Sequence, residues 1–497
     1  MRLLWGDIHN HCGITYGFGS LENALSAARE HLDFCAVTGH AMWPDIPEKN
    51  NETEFLIEFH KNGFQKLAAH WPEIKETIKS YNKEGEFATF YSYEMHTSGI
   101  GDYHLVSPDD DIELLYAKNP KELLKKLSAY RAIMIPHHIA YTPGYRGIDW
   151  NSFDSSISPV VEVCSKHGCS MNDKSLYPYY HNMGVRDTHN TVYEGLKQGH
   201  QFGFVGSTDH HAGYPGSYGD CKMAVLCEEK TRDSIYNAIC ARRTYAVTGD
   251  KIKCNFTVNG EPFGSIIAAG NQPRVINLNV EACHFIDKIV LFKNLKPIKI
   301  INGEMLDEVN PMGRYKVRIE MGWGNNTDLY TWNGSAEVEN GDIVDVEKCF
   351  RGRSVLAPSK DMKADDSVNQ ITNKVLQKSL QKVEWICQTV KNVSTLHPST
   401  SAIVLEIDGS VNTKLKGCIN GKCFEFTIEQ LLQQGYTCPM KPYNSQTFKV
   451  YHAVPETQYK LNINLTDKAK SSECDIYHAE IRQTNSSCAY ITPIYVK

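Results

Sequence analysis

A chain of 497 residues is longer than one hydrophobic core usually organises, so two or three domains are expected. With 41% apolar and 22% charged residues, the composition excludes a disordered chain. The formal charge of −6, from 52 basic and 58 acidic residues, argues against a nucleic-acid binder, and no run of Lys and Arg reverses it.

Residues 1–250 alternate strand and helix. Leu3 to Ile8 reads as a short strand with Asp7, His9 and His11 at its end. Residues i and i+2 of a strand share a face, so His9 and His11 project together, which suits a metal better than a core. Ser20 can cap a helix with Leu21, Ala24, Leu25 and Ala28 on one face. Phe34 to Thr38 is the next strand, closed by Gly39 and His40. A long helical region follows, roughly Glu54 to Tyr81, then the strand Phe87 to Tyr93, which leads into Glu94 and His96. Lys121 to Tyr130 is helical, and the strand Ala132 to Ile135 runs into Pro136, His137 and His138. The strand Val160 to Cys164 carries Glu162, with His167 just beyond. Val192 to Gln198 is helical, and the strand Phe202 to Gly206 ends in Ser207-Thr208-Asp209-His210-His211. Arg232 to Arg242 is an amphipathic helix. Such alternation implies a parallel sheet or barrel.

Residues 251–497 read differently. Ile252 to Val258 alternates with period two and meets an Asn259-Gly260 turn. Val275 to Val280, Lys288 to Phe292, Tyr315 to Ile319, Ala402 to Ile407, Phe448 to Tyr451 and Tyr477 to Ile481 are similar, which suggests a β-sandwich. A polar stretch near 358–398, with a helical piece around Val375 to Val390, reads as an insertion or linker. Trp323, Tyr330 and Trp332 read as sandwich core. No run of 18 apolar residues is present, so no transmembrane helix and no membrane partner are expected. The charged motif begins at Gly6, which leaves no room for a leader. The 16 cysteines form no Cys-x-x-Cys pair; reduced thiols and a cytoplasmic location are expected.

The informative pattern is positional. Six strand ends of the first half deliver His, Asp or Glu, and the C-terminal strand ends of a parallel α/β barrel meet at one mouth. Imidazole and carboxylate without thiolate suit Zn, Mn or Fe. Glu94 has two oxygens and can bridge two ions, a pairing that activates hydroxide for hydrolysis. His167 is placed to complete a second ion or touch substrate; His104 and His189 are weaker candidates. Lys166, Arg146 and Arg186 can bind a phosphate or carboxylate. Tyr214, in Gly213-Tyr214-Pro215-Gly216, can line the pocket.

The order His-x-His, Thr-x-His, Glu, Pro-His-His and Asp-x-His resembles the PHP superfamily, named for polymerase and histidinol phosphatase, over residues 3–250. Within it the chain looks most like members with a C-terminal β-rich extension. The resemblance implies a distorted (β/α)7 barrel, two or three divalent ions, and phosphoester hydrolysis by a metal-bound hydroxide on a phosphorylated small molecule. It implies His9, His11, Glu94 and Asp209 around one ion, His137 with Glu94 on a second, and His40 with His211 on a third. Asp209, His138 and His167 are then the catalytic candidates. Two positions depart from the family. Gly39 stands where an acid is usual, and Tyr16 and Gly17 stand in the turn after His11 where a further ligand is common. The His40/His211 ion is therefore expected to be the loosest, and Gly39→Asp to tighten it unless Gly39 needs a positive φ. The same ions also serve an amidohydrolase-type C–N or C–O hydrolysis. In a third reading, Trp323, Tyr330 and Trp332 make the β-rich half a carbohydrate- or protein-binding module.

Overall fold

Apolar runs of the first half form the strands that carry the site. A computed structural model describes residues 1–117, 120–175, 184–270, 272–303, 311–355, 371–392, 399–468 and 474–497. The elements in order are β1 (Arg2–Asp7), α1 (Leu21–His31), β2 (Phe34–Met42), α2 (Glu54–Tyr81), β3 (Ala88–Met95), β4 (Asp102–Ser107), α3 (Pro120–Leu127) and β5 (Ile133–His137). They continue with β6 (Val160–Ser165), β7 (Gly168–Cys169), α4 (Val192–Lys197), β8 (Gly203–Gly206), β9 (Lys222–Cys227), α5 (Arg232–Cys240) and β10 (Thr244–Val247). Ser20 caps α1 by accepting the Asn23 N–H, and the helix buries Leu21, Ala24, Leu25 and Ala28.

The expected (β/α)7 barrel is not formed among the described residues. β1, β2 and β3 run parallel, but β4, a strand missed in the sequence reading, lies antiparallel to both β3 and β5. The turn from His96 to Gly101 is too short for a crossover helix, so β3 and β4 can only pair as a hairpin. β9 is antiparallel to β1 and to β10. β6 and β8 make a separate parallel pair that packs beside β5 and β10 without sharing a ladder. The result is an open, mixed α/β arrangement.

The large sheet also crosses the boundary expected near residue 250. β10 pairs with Cys488–Val496, which pairs with Asp475–Gln483, so C-terminal strands extend the sheet begun at the N-terminus. A second sheet, with Lys253–Val258, Arg274–Glu281 and Lys460–Asp467, packs on this extension through Tyr245, Phe256, Leu278 and Ile491, the expected sandwich packing. A third sheet is built on the long strands Met312–Trp323, Tyr330–Cys349 and Ser401–Ile419 around Trp332, Trp385 and Ile403. Trp332 is core, while Trp323 is partly exposed.

Two further expectations are corrected. The helical piece at Val375 to Val390 is instead two antiparallel strands, Lys374–Lys378 and Lys382–Thr389. Val383, Trp385, Cys387 and Thr389 are buried alternately, so a period of two decides the element. Residues 356–370 and 393–398 of that stretch lie outside the described residues. Cys418 and Cys423 face each other on a hairpin and form a disulfide rather than staying reduced. No helix among the described residues is long and apolar enough to cross a membrane.

Asp250 ties these parts together. It is fully buried just after β10, accepts Gln483 Nε2 and Asn485 Nδ2 at 2.7 Å, and is bonded by the Arg318 guanidinium. Burial pushes its carboxyl up, but Arg318 and the amide donors outweigh burial and hold it below the ordinary carboxylate range. Asp250→Asn leaves the Arg318 charge buried and unpaired, and is expected to destabilise the protein by about 3–5 kcal/mol at neutral pH. A carboxyl held low in the folded state loses its contribution as pH falls, so the gap from the parent should narrow below roughly pH 4. Denaturant unfolding of parent and variant at pH 7 and at about pH 2 checks both; equal stability at pH 7 would contradict the assignment.

Candidate metal centre

Sheet register brings the side chains together. His40 on β2 lies opposite Glu94 on β3, Glu94 lies opposite His104 on β4, and Asp102 on β4 lies opposite His137 on β5. Residues directly opposite one another share a face of the sheet. His9 and His11 enter from the end of β1, Asp209 and His211 from the loop after β8.

Donor atoms of His9, His11 and Asp209 lie close together, with Glu94 Oε2 near both histidines. His9 Nε2 lies 3.3 Å from His11 Nε2, 3.7 Å from Glu94 Oε2 and 3.7 Å from Asp209 Oδ1. His11 Nε2 lies 3.6 Å from Glu94 Oε2 and 3.0 Å from Asp209 Oδ1. A tetrahedral ion bound at about 2.1 Å requires donors roughly 3.4 Å apart. His9, His11 and Asp209 thus lie at the mutual spacing of donors to one ion, and Glu94 Oε2 lies at a similar distance from both histidines. The other Glu94 oxygen, Oε1, faces His137 Nε2 at 3.1 Å and His96 Nδ1 at 3.4 Å. His96 is thus a donor absent from the expected set. His40 Nε2 is 3.2 Å from Glu94 Oε2. Nitrogens of His11, His40 and His211 lie within 4.8 Å of one another, but this group shares His11 with the first. His11 Nδ1 is 2.9 Å from Thr38 O, so one nitrogen, Nε2, faces both groups.

The second ring nitrogens are held from behind. His9 Nδ1 is 2.8 Å from Glu162 Oε2, an acceptor that fixes the tautomer and raises the basicity of Nε2. His40 Nδ1 is 3.1 Å from Thr15 Oγ1, so a hydroxyl takes the position expected to be lost with the acid at Gly39. Gly39 itself has no positive φ. A Cβ there would lie 2.5 Å from Leu67 Cδ1 on α2, so close helix approach explains the glycine. Tyr16 stacks on His40 with ring centroids 3.9 Å apart, and its hydroxyl lies 3.0 Å from His60 Nδ1. His60, on α2, has no signal in sequence, because a lone helical histidine looks like any other.

Electrostatics favour ionised carboxylates at the centre. Burial pushes Glu94 up, and His96, His40 and His137 outweigh it, leaving it well below the usual carboxylate range. Burial likewise opposes Asp209, and His9, His167 and His11 outweigh it. The remaining Asp209 oxygen, Oδ2, lies 3.1 Å from His167 Nε2 and 3.5 Å from His138 Nε2. His138 and Asp209 both adopt left-handed backbone, φ 53° and 49°, a conformation that costs about 1 kcal/mol or more outside glycine. His189 is exposed and away from the cluster. Asp7 does not join it either: its carboxylate accepts the Gly216 N–H at 2.8 Å and the Thr208 hydroxyl at 2.5 Å, tying down the ligand-bearing loop.

The far part of that loop is held by the β-rich half. Tyr214 packs into the core of the third sheet, and its hydroxyl accepts Asn373 Nδ2 at 2.7 Å. Tyr218 N donates to Phe350 O at 2.8 Å, and Gly352 N donates to Ser217 Oγ at 3.1 Å. Tyr214 therefore lies where the ligand-bearing loop meets the third sheet.

Three outcomes follow for variants. Asp209→Asn and His9→Ala should each lose most of the bound metal with the fold retained; a fully metallated Asp209→Asn protein, by elemental analysis and circular dichroism, would sink the first-ion assignment. Glu162→Gln should weaken binding about 10–100-fold. Gly39→Asp should destabilise the fold by about 1–3 kcal/mol through the Leu67 clash, without tightening any ion.

No protein-family model matches this chain. It is 29% identical to an uncharacterised protein of Chlamydia pneumoniae over 62% of this chain and 49% of that one. It is 25% identical to an uncharacterised protein of Chlamydia trachomatis, over 55% of this chain and 44% of that one. A third such protein, from Chlamydia muridarum, is 24% identical over 63% of this chain and 49% of that one. The chain spans about half the length of these relatives. Among solved structures, a two-domain protein from Bacteroides vulgatus, described as containing a predicted PHP-like metal-dependent phosphoesterase, matches at 12% identity and a TM-score of 0.32. That match covers 62% of this chain and 82% of that one, and likeness at this level carries no weight for fold or function.

Proposed function

We propose that this protein is a metal-dependent hydrolase of the PHP type that cleaves a phosphoester of a small molecule. The observation that carries the reading is the ligand-like spacing of His9, His11 and Asp209, with Glu94 Oε2 beside both histidines and Glu94 Oε1 turned to His137. A purely structural cluster has no need of that spacing. His9, His11, Glu94 and Asp209 would hold one divalent ion, Zn, Mn or Fe, and His137 with Glu94 would hold a second. When bound, such ions supply Lewis acidity and a more acidic water. Glu94 and Asp209 orient that reaction centre, and Glu162 fixes the His9 tautomer. His138 and His167, both beside Asp209 Oδ2, are placed to move protons to and from the reacting oxygen. The net charge of −6 supports a small substrate over a nucleic acid.

The test is turnover by the metal-reconstituted full chain across phosphomonoesters, phosphodiesters, lactones and amides. Phosphoester cleavage is expected, lost on chelation and restored by one of the three metals. Asp209→Asn should reduce it by at least about 100-fold. Turnover of amides or lactones alone would replace this reading with an amidohydrolase.

A further inference from the structure

The hairpin turn from β3 to β4 brings two buried side chains, His96 and Asp102, to the Oε1 side of Glu94. His96 Nδ1 lies 3.4 Å from Glu94 Oε1 and 3.5 Å from Asp102 Oδ1. Glu94 Oε1 is in turn 3.1 Å from His137 Nε2. Ligand-type atoms of Asp102, His137 and His138 lie within 4.8 Å of one another. Glu94, His96, Asp102 and His137 are thus successive neighbours in a closed circuit.

The spacing separates two meanings of this circuit. A charge-assisted hydrogen bond from an imidazolium to a carboxylate closes to about 2.7–2.9 Å. The Arg146 guanidinium comes near that on Asp102, with Nη1 at 3.0 Å from Oδ2. His96 instead stands 3.4 and 3.5 Å from its two carboxylates. That is the separation of roughly 3.4 Å expected of two donors on one ion. The backbone holds the turn in place: His96 N donates to Met42 O at 3.0 Å, and Thr97 Oγ1 donates to Gly101 O at 3.0 Å. Thr97 N donates to Asp102 Oδ1 at 3.3 Å, and Arg146 balances the charge at Oδ2, so Oδ1 is the oxygen turned to His96. His167, the other histidine considered for a second ion, lies 3.1 Å from Asp209 Oδ2. Two imidazoles and two carboxylates suit Zn, Mn or Fe.

We propose that His96 Nδ1 and Asp102 Oδ1 complete the ligand set of the second ion, together with Glu94 Oε1 and His137 Nε2. The inference rests on the metal-dependent hydrolase reading and deepens it.

Zinc is the probe, loaded into the metal-depleted full chain and followed by elemental analysis and chelator competition. The parent should hold at least two ions. His96→Phe keeps the ring's volume, and should retain the first ion while weakening the second at least about 100-fold. Asp102→Asn leaves Arg146 an oxygen partner, and should weaken the second ion at least about tenfold. His167→Phe should leave the second ion bound. Anomalous diffraction from the zinc-loaded parent keeps the test independent of how the variants fold. An ion about 2.0–2.2 Å from both His96 Nδ1 and Asp102 Oδ1 is expected. An ion on Glu94 and His137 with His96 Nδ1 beyond about 3 Å overturns the proposal. Undiminished second-ion affinity in His96→Phe does so too, as does a parent that takes up a single ion. Failure of the phosphoesterase reading looks different: no phosphoester turns over, yet the second ion still depends on His96.

Discussion

Two ionised carboxylates, Glu94 and Asp209, sit in the interior of this protein, ringed by imidazoles at 3.0–3.9 Å. Removing a carboxylate from water costs several kcal/mol unless countercharge or strong donors surround it. Several ring nitrogens are turned to acceptors behind the centre, Nδ1 of His9 to Glu162, of His11 to Thr38 O and of His40 to Thr15. Their Nε2 atoms point inward, which is the arrangement of a ligand set. Left-handed backbone at His138 and Asp209 is a further local cost retained at the same place.

The sheet is what makes the convergence possible, and it does so without closing. Parallel β1–β3 bring His9, His11, His40 and Glu94 to one edge. The hairpin strand β4 then adds Asp102 and His104 from the opposite chain direction. An antiparallel insertion changes which end of a strand faces the site, so the N-terminal end of β4, rather than a C-terminal strand end, reaches the centre there. The histidine cluster needs adjacency and a shared face, and an open mixed sheet supplies both.

The β-rich half is joined to this sheet at more than one level. Ladders continue from β10 into the C-terminal strands, Asp250 draws Arg318, Gln483 and Asn485 to one buried carboxylate, and Tyr214, Ser217 and Tyr218 of the ligand-bearing loop bond to the third sheet. Asp7 holds the loop from the other side. The loop carrying Asp209 and His211 is thus clamped between the two halves.

Much of the centre was legible in the residues alone. The i, i+2 spacing of His9 and His11, and the acids and histidines at strand ends, are local patterns, because strand geometry dictates which side chains share a face. The helix Glu54–Tyr81 and the cap at Ser20 were equally local, set by periodicity and one side-chain bond. What lay beyond reach depends on distance in space. β4 is short and follows a glycine-rich turn, so Asp102 and His104 joined the site only through pairing with β3 and β5. Gly39 looked like a missing acid, and only the approach of Leu67 from α2 reveals a steric reason. Val375 to Val390 became strands because a neighbouring sheet could bury every second residue, a choice made by tertiary pairing over local propensity. The sequence by itself determined the chemistry on offer, imidazole and carboxylate without thiolate. The tertiary structure decided which donors meet and that the sheet stays open, because both depend on register between strands far apart in the chain.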